Sequence, residues 1–242
     1  PNQTNDLTVR AVRATKTPMS PAAAPLTQDH ASSIAFTELE RVEAPDTATF
    51  QRRYLRAGRP VVLTGLTTGW VPPREWTFAR VAERYGDARV IAAVLTDGTL
   101  AGDSVEFRRL TLREFIASLA EPCSASHYVM APTWNLPPEF LADYTLPPYC
   151  AGAWHLRAKF WVGKAGTVTP MHRDVPHNLN VHLTGRKRWL LYPPGGAGMY
   201  PRGLLSGMPN FSEAEPERPD CARHPHFRDQ QPLGGIVGEG ET

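Results

Sequence analysis

The segment Val168-Thr169-Pro170-Met171-His172-Arg173-Asp174 holds the residue types best suited to chemistry. On an extended strand His172 and Asp174 stand at i and i+2 and point to one face. An imidazole and a carboxylate on one face supply two ligands for a divalent iron. A second histidine from elsewhere completes a facial triad and leaves three coordination positions open. A chelating 2-oxo acid fills two of these and dioxygen the third. Alone, His-x-Asp is a weak signal, and a solvated strand or loop is its ordinary explanation. The neighbouring residues carry the case.

Lys187 stands fifteen positions after His172, beyond a tight connection at Thr184-Gly185-Arg186. A hairpin of that length returns its ammonium beside the metal strand, where it can pair with the distal carboxylate of an oxo acid. The plain alternative is a solvated lysine in Gly-Arg-Lys-Arg. Asn178, four past Asp174, shares the same face if Pro176 leaves the strand unbroken. Thr169, three before His172, also brings a hydroxyl within reach of the oxo acid. Taken singly, each is equally well read as a satisfied polar turn residue. Four other histidines, His177, His182, His224 and His226, are not assigned to the metal. His182 has inward parity but lies at the strand's far end, and His224-Pro225-His226 belongs to a long loop expected at the surface.

The elements that must position these groups read as short apolar runs between turn residues. Asp46 or Thr47 caps a helix at about 47–57. Val61-Val62-Leu63-Thr64-Gly65 reads as a buried strand. A helix at about 77–85 carries Phe78, Val81 and Ala82 and stops at Gly86. Residues 89–97 form a strand, and Thr111 caps a helix with Leu112, Phe115, Ile116 and Leu119 on one stripe. A short strand at 127–130 and a brief helix at 137–144 follow. Beyond Cys150 the texture turns to strands at 160–163, 178–183 and 188–192, then a long irregular stretch at 195–232. Ile236-Val237-Gly238 opens a further hairpin.

The chain has 242 residues, 41% hydrophobic and 21% charged, as expected of one soluble globular core. Its 24 prolines favour an all-β or α+β chain over a helical bundle. A formal charge of +2 gives no global case for a nucleic acid or membrane partner. No apolar run approaches a membrane span, and the N-terminus lacks a signal-peptide core. Cys123, Cys150 and Cys221 are odd in number and widely spaced, which argues against zinc and disulfide frameworks and for a reduced, cytoplasmic setting. Residues 1–33 are polar and rich in Ala, Thr and Pro, so they are expected to be disordered, with Met19-Ser20-Pro21 a natural start. The ordered domain is expected over 34–242.

Thr169-Pro170-Met171-His172-Arg173-Asp174, Asn178, Gly185-Arg186-Lys187-Arg188-Trp189 and Tyr192-Pro193-Pro194 together resemble the JmjC/cupin-like Fe(II)- and 2-oxoglutarate-dependent hydroxylases. That group includes the asparaginyl hydroxylase acting on hypoxia-inducible factor, and its Thr-Pro-x-His-x-Asp motif is followed by Asn and Lys at these separations. The resemblance runs upstream through Gly58–Leu63, Trp70 and Trp76, Thr111–Phe115 and His127-Tyr128. Downstream it runs through Met199-Tyr200-Pro201 and Pro209-Asn210-Phe211 to Gly240-Glu241, covering about residues 36–242. It implies a mainly β chain with flanking helices around a double-stranded β-helix (jelly-roll or cupin) core. It implies Fe(II) at His172 and Asp174, and 2-oxoglutarate held by Lys187, Thr169, Asn178 and Tyr128. It also implies hydroxylation or demethylation of a protein, peptide or small-molecule substrate, with succinate and CO2 as co-products. Relatives of this kind are often homodimers.

Two departures stand out. Arg173 replaces the Tyr often found between His and Asp; by parity it faces away from the metal and lines the substrate entrance, which favours an acidic substrate group. The distal His of the family follows a Gly-Glu turn and an apolar strand. Gly240-Glu241-Thr242 is that turn, so this ligand is expected about ten residues beyond 242. Three other readings compete. His-Arg-Asp is also a kinase catalytic-loop triplet, but Asn178 stands four past Asp174 rather than five, and the other kinase motifs are missing. A non-catalytic cupin-like binding module keeps the barrel without working metal, yet has no need of Lys187, Thr169 and Asn178 together. A structural protein would use 195–232 as its contact surface.

Overall fold

The computed structural model describes residues 34–96, 98–100, 105–120, 125–151 and 158–242. The segment expected to be disordered, 1–33, and Cys123 lie outside them. In chain order the elements are β1 (Thr37–Glu38), β2 (Arg41–Glu43) and α1 (Thr47–Phe50), which widens into a π-helical turn at Gln51–Leu55. Then come β3 (Val62–Thr64), α2 (Phe78–Tyr85), β4 (Arg89–Thr96), β5 (Phe107–Thr111) and α3 (Leu112–Ser118). β6 (Ala125–Pro132), α4 (Pro138–Ala142), β7 (Lys159–Gly163), β8 (Lys187–Leu191) and β9 (Leu233–Val237) complete the set. The described residues are therefore mainly β with flanking short helices.

The largest sheet is antiparallel, in the order β5-β4-β6-β7. Strand alternation gives it two faces. Val90, Ala92, Val129, Ala131, Phe160 and Val162 lie on one, packed against Val81 and Tyr85 of α2, Leu112 and Phe115 of α3, and Phe140 of α4. Phe140 sits edge-on to both Trp76 and Phe160, at centroid distances of 5.5 and 4.9 Å. Helices α2 and α3, which cover this face, are capped at their N-termini, at Thr111 as the sequence predicts. Thr77 accepts from the Arg80 N–H, and Thr111 and Glu114 form a reciprocal capping box. The buried Asp143 carboxylate accepts from Tyr85 and lies by Arg80 and Arg84, so its charge is compensated.

A second sheet has the order β1-β9-β8, with β9 antiparallel to β8 and parallel to β1. Trp189, Leu191, Leu233 and Val237 pack there with Leu39 and with Val62, which stands on β3 of the small parallel β2–β3 pair.

Two sequence expectations change. Residues 178–183 form no strand, because the backbone N–H and carbonyl of His182 bond Glu241 and Gly240. The partner of β8 is therefore β9. The 195–232 stretch is irregular but built. It has 3-10 turns at Ala197–Met199 and Pro225–Phe227, and His224, expected at the surface, is 4% exposed.

Candidate metal and oxo-acid site

The His172 segment is held by the long loop. His172 bridges Phe211, the Arg173 N–H donates to the Asn210 carbonyl at 3.0 Å, and the Ser212 N–H donates to the Met171 carbonyl at 2.8 Å. These bonds keep residues 171–173 extended, and the i, i+2 parity holds. His172 Nε2 is 3.7 Å from Asp174 Oδ2. That is beyond hydrogen-bond reach but within what two ligands of one ion span, at about 2–2.2 Å each.

The His172 tautomer follows from its partner. Nδ1 lies 2.8 Å from the Pro170 carbonyl oxygen, which can only accept. The proton therefore sits on Nδ1, and Nε2 turns its lone pair toward the carboxylate side. Asn178 Nδ2 donates to Asp174 Oδ2 at 2.7 Å. A bend at Val175-Pro176, rather than an unbroken strand, brings Asn178 there. Asn178 thus orients the carboxylate of Asp174 instead of standing open beside it.

Tyr128 and Thr169 meet. Tyr128 faces Gly163 across β6 and β7, and its hydroxyl is hydrogen-bonded to the Thr169 side chain. Burial pushes the Tyr128 hydroxyl above its ordinary pKa, partly offset by that bond. Glycine at 163 admits the ring: a Cβ there would lie 2.7 Å from Tyr128 Cδ2.

Lys187 stands in the other sheet. Its ammonium is 4.3 Å from the Trp189 ring centroid, two residues along the same face of β8. Burial holds its pKa below the usual lysine range. No carboxylate pairs with it among the described residues. The buried Nε2 of His182 also lacks a partner, and the imidazole pKa is lowered by burial and by the Lys187 charge. A desolvated ammonium with no carboxylate partner among the described residues is a donor that an incoming carboxylate satisfies. The residues present thus fit an oxo acid. Among the described residues no third His, Cys, Asp or Glu joins His172 and Asp174.

Sequence reasoning missed what covers the histidine. Phe211 stacks on the His172 ring at 4.9 Å and 17°, and the Arg202 guanidinium lies 5.7 Å from the Phe211 ring. Pro209-Asn210-Phe211 stood out only through the family resemblance. Tyr200, at a left-handed φ of 42°, packs 4.6 Å from His224 and so draws that residue inward.

Residues 47–242 match the cupin-like domain. The chain belongs to the cupin-like domain family. It is 28% identical over 214 residues to lysine-specific demethylase 8 of Xenopus tropicalis, covering 85% of this chain and 47% of that protein. With the 2-oxoglutarate and iron-dependent oxygenase JMJD4 of Gallus gallus it shares 26% identity over 230 residues, 83% of this chain and 53% of that one. With the human bifunctional peptidase and (3S)-lysyl hydroxylase JMJD7 it shares 27% over 234 residues, 81% and 73% of the two chains. The chain spans about half the length of the first two relatives. In this cupin-like domain no helix of the described residues is long and apolar enough to cross a membrane. Cys150 and Cys221 are free thiols.

Proposed function

We propose that this cupin-like domain is the oxygenase domain of an Fe(II)- and 2-oxoglutarate-dependent enzyme that hydroxylates or demethylates a protein or peptide substrate. The observation that carries the reading is the pre-oriented His172–Asp174 pair, with Nε2 and Oδ2 3.7 Å apart, the imidazole held by the Pro170 carbonyl and the carboxylate by Asn178. Outer partners of this kind set ligand direction and basicity.

In this reading His172 and Asp174 hold the iron, and the third ligand comes from outside the described residues. Lys187 neutralises the distal carboxylate of the oxo acid, and the Tyr128 and Thr169 hydroxyls bind alongside it. Phe211 and the loop that carries it keep water from the covered face of His172. When bound, iron and 2-oxoglutarate would supply the redox chemistry: dioxygen is the oxidant, one of its atoms enters succinate as the oxo acid gives up two electrons and CO2, and the other is left to oxidise a substrate C–H bond. Residues 34–242 then form one domain whose sheets belong to a double-stranded β-helix. The free thiols accord with a reduced, cytoplasmic setting. The relatives' names, a lysine demethylase and a lysyl hydroxylase, support a lysine-bearing protein substrate.

A non-catalytic cupin-like binding module, which would keep the barrel without working metal, is the second reading. Succinate formation from 2-oxoglutarate separates the two. An oxygenase makes succinate in an iron-dependent way and stops in His172→Ala; a binding module makes none in either form.

A further inference from the structure

The long loop buries a histidine that the proposed chemistry leaves unused. His224 is 4% exposed, and neither of its ring nitrogens has a hydrogen-bond partner among the described residues. A neutral imidazole carries one N–H and one lone pair, and leaving both unmet in the interior is uncommon enough to call for a cause.

Two segments face the ring. On its own segment the Asp220 carbonyl accepts the His224 N–H at 2.7 Å, while the Asp220 carboxylate is taken up by the N–H groups of Ala222 and Arg223, at 3.0 Å each. The N–H of His226 donates to the Tyr200 hydroxyl at 2.8 Å. From the other segment, the Tyr200 ring lies 4.6 Å from the imidazole, and Glu213 Oε2 lies 4.0 Å from Nε2. That oxygen already accepts from Arg223 on its outer side, at 2.6 Å. Glu213 is therefore the acceptor that a charged His224 meets.

These contacts stand at the base of the strand that holds His172. Pro201 bridges Ser212, the Arg202 N–H donates to the Phe211 carbonyl at 2.9 Å, and the Glu213 N–H donates to the Tyr200 carbonyl at 2.8 Å. Residues 200–213 thus close as a hairpin. Its returning strand carries Phe211, stacked on His172, and Ser212, bonded to Met171. Tyr200 is the one non-glycine residue with a positive φ among the described residues. Such a conformation persists where surrounding contacts fix it, and His224 and His226 supply them.

We infer that His224 is a positioning residue for His172, and that its protonation draws the Glu213 carboxylate inward and tightens the hairpin on the metal-ligand segment. The sign follows from charge. Histidine gains its proton as pH falls between about 8 and 5, so the grip is firmer at the acid end and slackens as pH rises. The inference rests on reading His172 as an iron ligand of an oxygenase.

The test is amide hydrogen exchange at the Ser212 N–H, which donates to the Met171 carbonyl, on the full protein without metal. It is run at about pH 6 and about pH 8 and corrected for intrinsic exchange. The native protein is expected to protect this amide about threefold better at the lower pH, the worth of one partly exposed ion pair. His224→Gln and Glu213→Gln are expected to remove that difference. Glu213 is partly exposed and carries the test if His224→Gln does not fold. Arg223→Gln, at an exposed side chain, leaves Glu213 to His224 and is expected to keep the difference. Equal protection at both pH values in the native protein overturns the inference. So does a loss in Glu213→Gln of the same size at both, or a difference that vanishes in Arg223→Gln. Fe(II) affinity is measured on the same proteins. The native-to-Glu213→Gln ratio is expected to be about threefold larger at the lower pH, and an equal ratio at both overturns the link to His172. The exchange pattern without any Fe(II) binding supports the hold of His224 on the hairpin and removes only the oxygenase reading.

Discussion

Phe211 lies nearly parallel on the His172 imidazole, 4.9 Å away, while its neighbours Asn210 and Ser212 bond the backbone on either side of that histidine. A loop far along the chain thus sets the ring plane of a candidate metal ligand. Phe211→Leu keeps most of the packing volume, so its stability cost is about 1 kcal/mol. Fe(II) affinity is expected to fall about tenfold, as for other outer partners of a metal ligand. Anaerobic Fe(II) titration alongside a thermal melt checks both. Unchanged affinity would show that the stack is packing alone.

Lys187 folds as a desolvated cation with no carboxylate partner among the described residues. Burial lowers its pKa, so keeping the ammonium charged costs stability at neutral pH, and that cost fades as pH climbs toward the unfolded value of about 10.4. Lys187→Met is therefore expected to hold or raise the melting temperature while weakening 2-oxoglutarate binding about a hundredfold. Calorimetric titration and a thermal melt give the two readings. A large loss of stability with oxo-acid binding intact would place Lys187 in the scaffold instead.

Gly163 is where a methyl group should damage the site. A Cβ would lie 2.7 Å from Tyr128 Cδ2 and 3.1 Å from Thr167 Oγ1. Gly163→Ala is expected to displace Tyr128, break its bond to Thr169 and weaken oxo-acid binding about tenfold, with a destabilisation of about 1–3 kcal/mol from overpacking. Binding and chemical denaturation together check it, with Tyr128→Phe as the comparison.

Alkaline pH should find Tyr85. Burial and the Asp143 carboxylate raise its pKa to about 12. Between about pH 10 and 12 the unfolded phenol has lost a proton that the folded one keeps, so stability falls as pH rises through that window. The Tyr85 share is on the order of 2 kcal/mol. Tyr192, raised to about 12 by burial, adds a slope of the same sign. Tyr85→Phe should flatten part of the decline in urea midpoints from pH 9 to 12. At neutral pH it should cost about 1–3 kcal/mol, because Asp143 loses a buried donor.

Much of this was legible in sequence where the signal is local. Thr111 announces the cap of α3, and the apolar stripes of α2 and α3 announce the face they bury. His172 and Asp174 share a face because parity acts over two residues. Asn178 comes to the Asp174 side as expected, but through the bend at Val175-Pro176 and a side-chain bond rather than through strand parity. Residues 178–183 were misread because their backbone partners, Gly240 and Glu241, are distant in sequence. The contacts of Phe211 with His172, and the burial of His224 against Tyr200, are long-range packing of the same kind. No local period encodes them.

The most direct measurement is anaerobic addition of Fe(II) and 2-oxoglutarate to the full-length protein, watched for the visible metal-to-oxo-acid charge-transfer band. The account predicts a band in the native protein that is absent in His172→Ala and in Lys187→Met. No band in the native protein, or one that survives His172→Ala, would contradict it.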